Sequence, residues 1–545
     1  MSMFIKKTRS KNFVYLSLVK TFRENGKVKH RTIAQLGRLD RLLQKGVLSR
    51  LCESLKGLGA SPANIPTIKE IERINWGAEF IYRHIWKQYG MDAILDTVFG
   101  STKVEFDYKE VIFLEVISRL MAPSSKLQVY LKQNRFLGTP PIPLHHIYQV
   151  LDYLSSFQKE IENLIFLKHV DRFGMKVDVV FYDVTPLYFE GALPDSLRDF
   201  GFSKDAKFEE MQVVVGMLVD QEGHPIALGI FPGNTFESKT LEEALKTLQE
   251  RFKIQHVMVV ADRGINSKLN LKRIKDREYD YLVGCRLKSL NKSLQKQILD
   301  IEKYQTIHES DGNILKYREI EFDNVVEYVE DNKKKQQILK EKIICTWSLK
   351  RAEKDRKDRE RLIHKAREML DQGTASLESQ KGAKRYLKNE KKQASSLGLD
   401  LEKINEDKQW DGFYGIQISK QSMKKEESLS SYHRLGKMEE SFRVMKHSLE
   451  IRSIYLSSPE RVRGHIVLCF LAFVMHRNLE IALIRKGTDH TAEKIREAIG
   501  ELEASLLEVN GKPILLRTPA KGLSKEILQS LKLKHPGEMV IDGLL

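Results

Sequence analysis

Two stretches of the chain are apolar and then stop at an acid: VDVVFYD, ending at Asp183, and HVMVVAD, ending at Asp262. Runs of this kind predict buried strands that each deliver a carboxylate to the edge of a sheet. Other segments complete the pattern over residues 176–290. FEEMQVVVGMLVD predicts a second strand, QEGH a turn, and PIALGIFPGN a third strand. SKTLEEALKTLQERF has the apolar spacing of an amphipathic helix, with Ser238 as candidate N-cap and Glu242 in its first turn. NSKLNLKRIKDRE predicts another helix and YLVGCRL a fifth strand.

Three strands, a helix, a strand, a helix and a strand is the order of an RNase H-like α/β fold. In that fold the first and fourth strands are neighbours, which brings Asp183 and Asp262 to one place. Glu439 lies in YHRLGKMEESFRVMK, a stretch with helical spacing, and a helix from there can add a third carboxylate. The catalytic domain is therefore expected over 173–290 and 426–484. Residues 291–425 form an insertion. YREIEFDNVVEYVE and EKIICTWSL have strand character, Lys350 to Lys392 predicts a charged helical hairpin turning near Gly373, and 410–419 predicts a strand returning to the domain.

Residues 1–40 alternate apolar and polar in places and contain Asn25-Gly26, predicting a small β region with a hairpin at Glu24–Lys27. Its lysines and arginines are a possible contact to DNA phosphates, or simply a solvated face. Residues 41–172 are helical in pattern and are expected to bind DNA or to form a plain helical bundle. Residues 485–545 predict a C-terminal helical region, with one helix over KIREAIGELEASLLEV and a short strand at PILLRT.

Composition narrows the partners. The chain has 545 residues, 41% of them hydrophobic, with 91 Lys and Arg against 74 Asp and Glu, a formal net charge of +17. That surplus favours a polyanionic partner. Cys52, Cys285, Cys345 and Cys469 stand alone, with no CxxC pair, so neither a zinc site nor a disulfide framework is indicated and a reducing cytoplasm is expected. The start MSMFIKKTRSK has no long apolar segment of the signal-peptide kind. The most apolar helical run, Ile466 to Met475, is about half the length that spans a bilayer and predicts a core helix.

Three carboxylates converging in a basic protein suggest Mg²⁺ acting on phosphates. Mg²⁺ takes oxygen ligands, and a pair of ions activates the attacking oxygen and steadies the leaving oxygen of an in-line displacement. The candidate ligands are Asp183 as the bridge, Asp262 on one side and Glu439 on the other, with Mn²⁺ able to substitute. From Tyr432, steps of seven lead to Glu439 and Lys446, which share one side of a helix. Lys446 and Tyr432 are candidate DNA contacts, and Arg434 and Arg443 lie on the same stretch, Arg443 also being placed to pair with Glu439.

YDVTPLYFE, FPGNTFESKTL, VVADRGINS and YHRLGKMEESFRVMKHSLE, in that order, resemble the DDE transposases of bacterial insertion sequences. The resemblance is to the group whose acidic helix carries a Tyr-x2-Arg-x3-Glu-x6-Lys signature, and it covers roughly 176–480. It implies Asp183, Asp262 and Glu439 as the metal-binding triad, Tyr432 and Lys446 as phosphate contacts, and an insertion between the second Asp and the Glu. The signature Arg position holds Leu435, with Arg434 one place earlier, a shift of about 100° around a helix. The resemblance further implies cleavage at terminal inverted repeats and strand transfer into a double-stranded DNA target by a homodimer, with no membrane partner and a nucleoid-associated, cytoplasmic location. Excision through a DNA hairpin is open, and Trp347 and Trp410 are then candidates to receive a flipped base, or core residues. Two other readings compete: an RNase H-like nuclease without strand transfer, and a non-catalytic DNA-binding relic.

Overall fold

A computed structural model of the chain describes residues 3–10, 13–24, 27–44, 46–57, 68–175, 177–189, 193–201, 209–308, 314–330, 332–372, 382–389, 397–419, 423–424, 427–430 and 456–541. Two units are distinguished, one of residues 162–443 and one of residues 1–161 with 444–545.

The first of these is built on a nine-stranded mixed sheet. Its elements are β1 (Val179–Phe189), β2 (Met211–Asp220), β3 (Pro225–Pro232), helix α1 (Glu237–Lys246), β4 (Met258–Ala261), helix α2 (Lys268–Lys275), β5 (Asp280–Gly284), β6 (Gln305–His308), β7 (Ile314–Glu330), β8 (Lys333–Ser348), helix α3 (Leu349–Asp371) and β9 (Phe413–Ile418). The spatial order is β6-β7-β8-β9-β5-β4-β1-β2-β3. The pairs β1–β2 and β2–β3 are antiparallel, while β1–β4 and β4–β5 are parallel. The neighbour relation of first and fourth strands expected from the sequence is therefore present. Strand β2 is buried at every residue, which is why MQVVVGMLVD is apolar throughout instead of alternating. Leu241 and Leu245 of α1 and Leu271 and Ile274 of α2 pack on Val180, Val259 and Val283 of the sheet, at helical and strand periods respectively.

The structure corrects several local expectations. Helix α1 begins at Glu237 with Phe236 as its N-cap, so Ser238 lies inside the first turn. The inserted strands extend the same sheet: β9 pairs with β5 through Ile418↔Leu282, and β8, β7 and β6 follow outward. The return of 410–419 to the domain is as expected. The charged segment is not a helical hairpin among the described residues. Helix α3 is followed, after residues outside the description that include Gly373, by a 3-10 turn at Gly382–Tyr386 and by Leu387–Asn389 paired with Leu397–Leu399. Tyr386 and Leu387 are buried against Ala366 of α3, with the Tyr386 carbonyl accepting from Asp400 N–H and Leu387 paired with Leu399 where a second helix was expected.

The other unit has a three-stranded antiparallel sheet, Met3–Ser10, Phe13–Glu24 and Lys27–Arg38, with Glu24 opposite Lys27 as expected and the two tip residues outside the description. Helices Tyr108–Met121, Leu144–Ser156 and Pro459–Ile484 pack together. The last has the length and hydropathy to cross a membrane, yet 83% of its most apolar stretch is buried inside the protein, the core helix the sequence predicts. It groups with this unit, not with the 173–290 sheet. Residues 485–541 are not purely helical. KIREAIG forms helix Ala492–Gly500, but EASLLEV is a strand paired with Ile68–Asn75 and with Lys512–Arg517. Asn510 and Gly511, both at positive φ, make the two-residue turn between them.

Candidate active site

The parallel pairing of β1 with β4 runs from Val179↔Met258 to Tyr182↔Ala261 and stops there. Asp183 and Asp262 are the next residue on each strand, so the two acids leave the ladder side by side. Asp262 follows the last residue of β4, as the sequence implies. Asp183 does not end its strand. β1 continues through Phe189 because β2 remains as its partner on the other side, Asp183 facing Met217. A strand paired on one side only is still a strand, and the apolar run VTPLYF covers it.

Both carboxylates are half-buried. Each has one oxygen oriented by a backbone amide just downstream. Asp183 Oδ1 accepts from Val184 N–H at 2.8 Å, and Asp262 Oδ1 accepts from Gly264 N–H at 2.7 Å.

Glu237, which the sequence reading passed over, stands beside Asp262. A methyl group on Gly264 would lie 2.9 Å from Asp262 Oδ1 and 2.9 Å from Glu237 Oε2, so both carboxylates crowd the same bare backbone. Its position as the first acid of the helix after the third strand, in FPGNTFESKTL, was the available signal. Behind them the phenol of Tyr182 is buried, and burial first, with the charges of Asp183 and Glu237 added, pushes it well above its ordinary value.

The turn after Asp262 is tightly held. Arg286 donates from Nε to the carbonyl of Arg263 at 3.0 Å and from Nη2 to that of Gly264 at 3.2 Å. Ser267 caps α2 through Asn270 N–H, and Asn270 Nδ2 donates back to the Ile265 carbonyl at 2.9 Å. Next to this turn opens a cavity of about 510 Å³ lined by Arg263, Arg286, Lys288, Arg351 and Trp410 among others. Trp347 is anchored through Nε1 to the Asp411 carbonyl at 3.0 Å and packs with Trp410 and Phe413, a core role for it.

Glu439, Tyr432, Arg434, Arg443 and Lys446 lie outside the described residues, as does Leu435. Among the described residues no three His, Cys, Asp or Glu side chains are arranged to hold a metal ion. The donors present at this place are hard carboxylate oxygens from adjacent strands, with Glu237 close by. That set fits Mg²⁺ or Mn²⁺, with remaining positions left to water or to another carboxylate.

The transposase DDE domain family matches residues 176–475, and the N-terminal domain of IS1634 family transposases matches residues 5–63. The first match spans more than half of the chain, and the class it defines is that of transposases with a DDE domain. This chain belongs to the DDE transposases of insertion sequences. No curated protein matches it. Similar solved structures include the Mos1 transposase paired-end complex with left transposon end, at 11% identity over 36% of this chain and 65% of that one, TM-score 0.15. A pre-cleavage Mos1 transpososome matches at 11% identity over 37% and 77%, TM-score 0.15. This chain thus spans just under two thirds of the length of the first, and likeness at these scores carries no argument about site or activity.

Proposed function

We propose that the sheet β3-β2-β1-β4-β5 with α1 and α2 is an RNase H-like catalytic core, and that the protein is a transposase acting on the terminal inverted repeats of an insertion sequence. It cleaves DNA in a Mg²⁺-dependent reaction and joins the freed 3′-hydroxyl ends to a double-stranded target, a cut-and-paste route carried out by a homodimer that pairs two ends. The observation that carries this reading is the register: Asp183 and Asp262 emerge together where β1 and β4 part, within the matched DDE domain.

Asp183 and Asp262, with Glu439 as the expected third acid, are the residues that would hold the metal. A divalent ion there supplies activation of the attacking oxygen and charge stabilisation at the leaving oxygen. The chain's own part is placement. The amides of Val184 and Gly264 orient one oxygen of each aspartate. Arg286 fixes the turn that carries Asp262, beside a cavity whose lining mixes basic residues (Arg263, Arg286, Lys288, Arg351) with the acids Asp355 and Asp407. Tyr432, Arg434, Arg443 and Lys446 are proposed DNA contacts.

The test is cleavage of labelled DNA carrying the element's own terminal repeats, in Mg²⁺ and in EDTA, by wild type, D183N and D262N. Metal-dependent cutting at the ends, lost in both variants with end binding retained, supports the reading. Cutting without joining would favour a nuclease, and binding with no cutting in Mg²⁺ or Mn²⁺ a DNA-binding relic.

A further inference from the structure

A line of buried polar side chains crosses the sheet from the inserted strands to the turn after Asp262. Asn266 Nδ2 donates to the Gly284 carbonyl and to Gln417 Oε1, both at 2.9 Å. Gln417 Nε2 donates to Glu341 Oε2 at 2.6 Å. The other oxygen of Glu341 accepts from the hydroxyl of Tyr281, and Asn324 also bonds this carboxylate. Glu341 is 0% exposed, Tyr281 0% and Gln417 3%.

The direction of this line follows from its first partner. A backbone carbonyl only accepts, so Asn266 must aim its NH₂ at Gly284 and, with its second hydrogen, at an oxygen of Gln417. Gln417 must then present its own NH₂ to position 341. Position 341 must then offer Gln417 an acceptor, and the carboxyl group of Glu341 does so while its other oxygen bonds the Tyr281 hydroxyl. Aliphatic side chains in the middle of this sheet would avoid the cost of burying a carboxylate. What the polar line adds is a unique orientation for Asn266, four residues beyond Asp262, in a turn whose other polar groups are bonded to Arg286 and Asn270.

We infer that Glu341 and Gln417, from strands β8 and β9 of the insertion, are positioning residues that hold the Asp262 turn through Asn266. This rests on the proposed role of Asp262 as a metal-holding residue. The insertion is then part of the catalytic scaffold, not an appendage for gripping DNA. The competing explanation is that the line merely satisfies buried groups.

A charge-neutral exchange separates the two. E341Q has two arrangements: its NH₂ faces the NH₂ of Gln417, a clash that turning the Gln417 amide passes on to Asn266, or its oxygen faces Gln417 and its NH₂ faces Tyr281, whose hydroxyl must then accept. In both, Gln417 loses the charged acceptor that holds it. In the E341Q/Q417E exchange, the carboxylate at position 417 accepts from Asn266 and from the amide now at 341, whose oxygen still accepts from Tyr281. Wild type, E341Q, Q417E, the exchange and D262N would be compared for Mn²⁺ affinity by calorimetric titration, for amide hydrogen exchange over residues 263–267, and for affinity to terminal-repeat DNA. We expect E341Q to weaken Mn²⁺ binding by a few-fold, less than the about tenfold or more that follows loss of a direct hydrogen-bond partner of a metal ligand, because Glu341 acts on Asp262 only through Gln417, Asn266 and the turn. Exchange at the turn should quicken, DNA affinity should stay at the wild-type value, and the exchange variant should restore the first two. Restored stability without restored Mn²⁺ affinity, or E341Q with wild-type Mn²⁺ affinity and turn protection, would overturn the inference. Equal Mn²⁺ binding by wild type and D262N would instead sink the functional reading. The brace is then judged on turn protection alone, where E341Q matching wild type overturns it.

Discussion

Gly264 donates its amide to Asp262 Oδ1 at 2.7 Å, and a methyl group on the same residue would meet that oxygen at 2.9 Å. The glycine is therefore held close to the carboxylate by one bond and leaves no room for a side chain between Asp262 and Glu237. The atoms that must move in Gly264→Ala are the ends of two flexible acids, so the fold should tolerate the change. The expected outcome is a melting temperature within a few degrees of wild type, with Mn²⁺ affinity and end cleavage lowered by about tenfold. Unchanged cleavage would show that neither carboxylate needs its present position.

A second glycine predicts the opposite balance. In helix Pro459–Ile484, a methyl group on Gly464 would lie 2.0 Å from the carbonyl oxygen of Leu151 on helix Leu144–Ser156. Gly→Ala inside a helix ordinarily gains about 1 kcal/mol. Here the clash is with backbone, which cannot rotate away, and overpacking of this kind costs about 1–3 kcal/mol or more. Gly464→Ala should therefore destabilise, seen as faster amide exchange in both helices.

Lys126 and Glu115 form a buried ion pair, 4% and 1% exposed, in the same unit. Burial, opposed by Glu115, lowers the Lys126 ammonium below its usual value. Lys126→Met leaves Glu115 without its cation and is expected to cost about 3–5 kcal/mol. The double change E115L/K126M should cost less, because the pair is removed together and the remaining buried cation, Arg119, keeps its bond to the Ser124 carbonyl. Denaturant midpoints of the three proteins check the order.

Glu341 gives unit 162–443 a distinctive pH response. Burial, against the hydrogen bonds of Tyr281 and Gln417, pushes its carboxyl up to about 7 from an ordinary 4.5. Between those values the folded chain holds a proton that the unfolded chain has lost, so this contribution is full below pH 4.5 and fades as pH rises through about 7. The span corresponds to about 3 kcal/mol. His169 acts in the reverse sense: burial foremost holds its ring down to about 3, so folding loses stability as pH falls below the ordinary histidine range. Because the two slopes oppose each other between pH 4.5 and the ordinary histidine range, the difference between proteins is the readout: amide exchange of Val283 and Ile344 should show wild type losing stability relative to E341Q as pH rises from 4.5 to 7.

Much of the site's framework was legible in the chain because it is local. Apolar runs ending in Asp183 and Asp262 signalled strands, and the order of strands and helices implied that the first and fourth are neighbours, as they are. Period and turn chemistry likewise marked the hairpin at Glu24–Lys27 and the core helix around Ile466–Met475. Residues that depend on distant partners were not legible. EASLLEV has a helical spacing of apolar positions, but it pairs with Ile68–Asn75, far away in sequence. Asp183 continues in a strand because β2 reaches past it. Glu237 approaches Asp262 only through the fold of α1 over the sheet, and Glu341 finds Gln417 and Asn266 only once the inserted strands extend that sheet. Period and propensity are properties of a few neighbouring residues, whereas register, burial of a charge and the direction of a hydrogen bond are set by what the tertiary structure places opposite each residue.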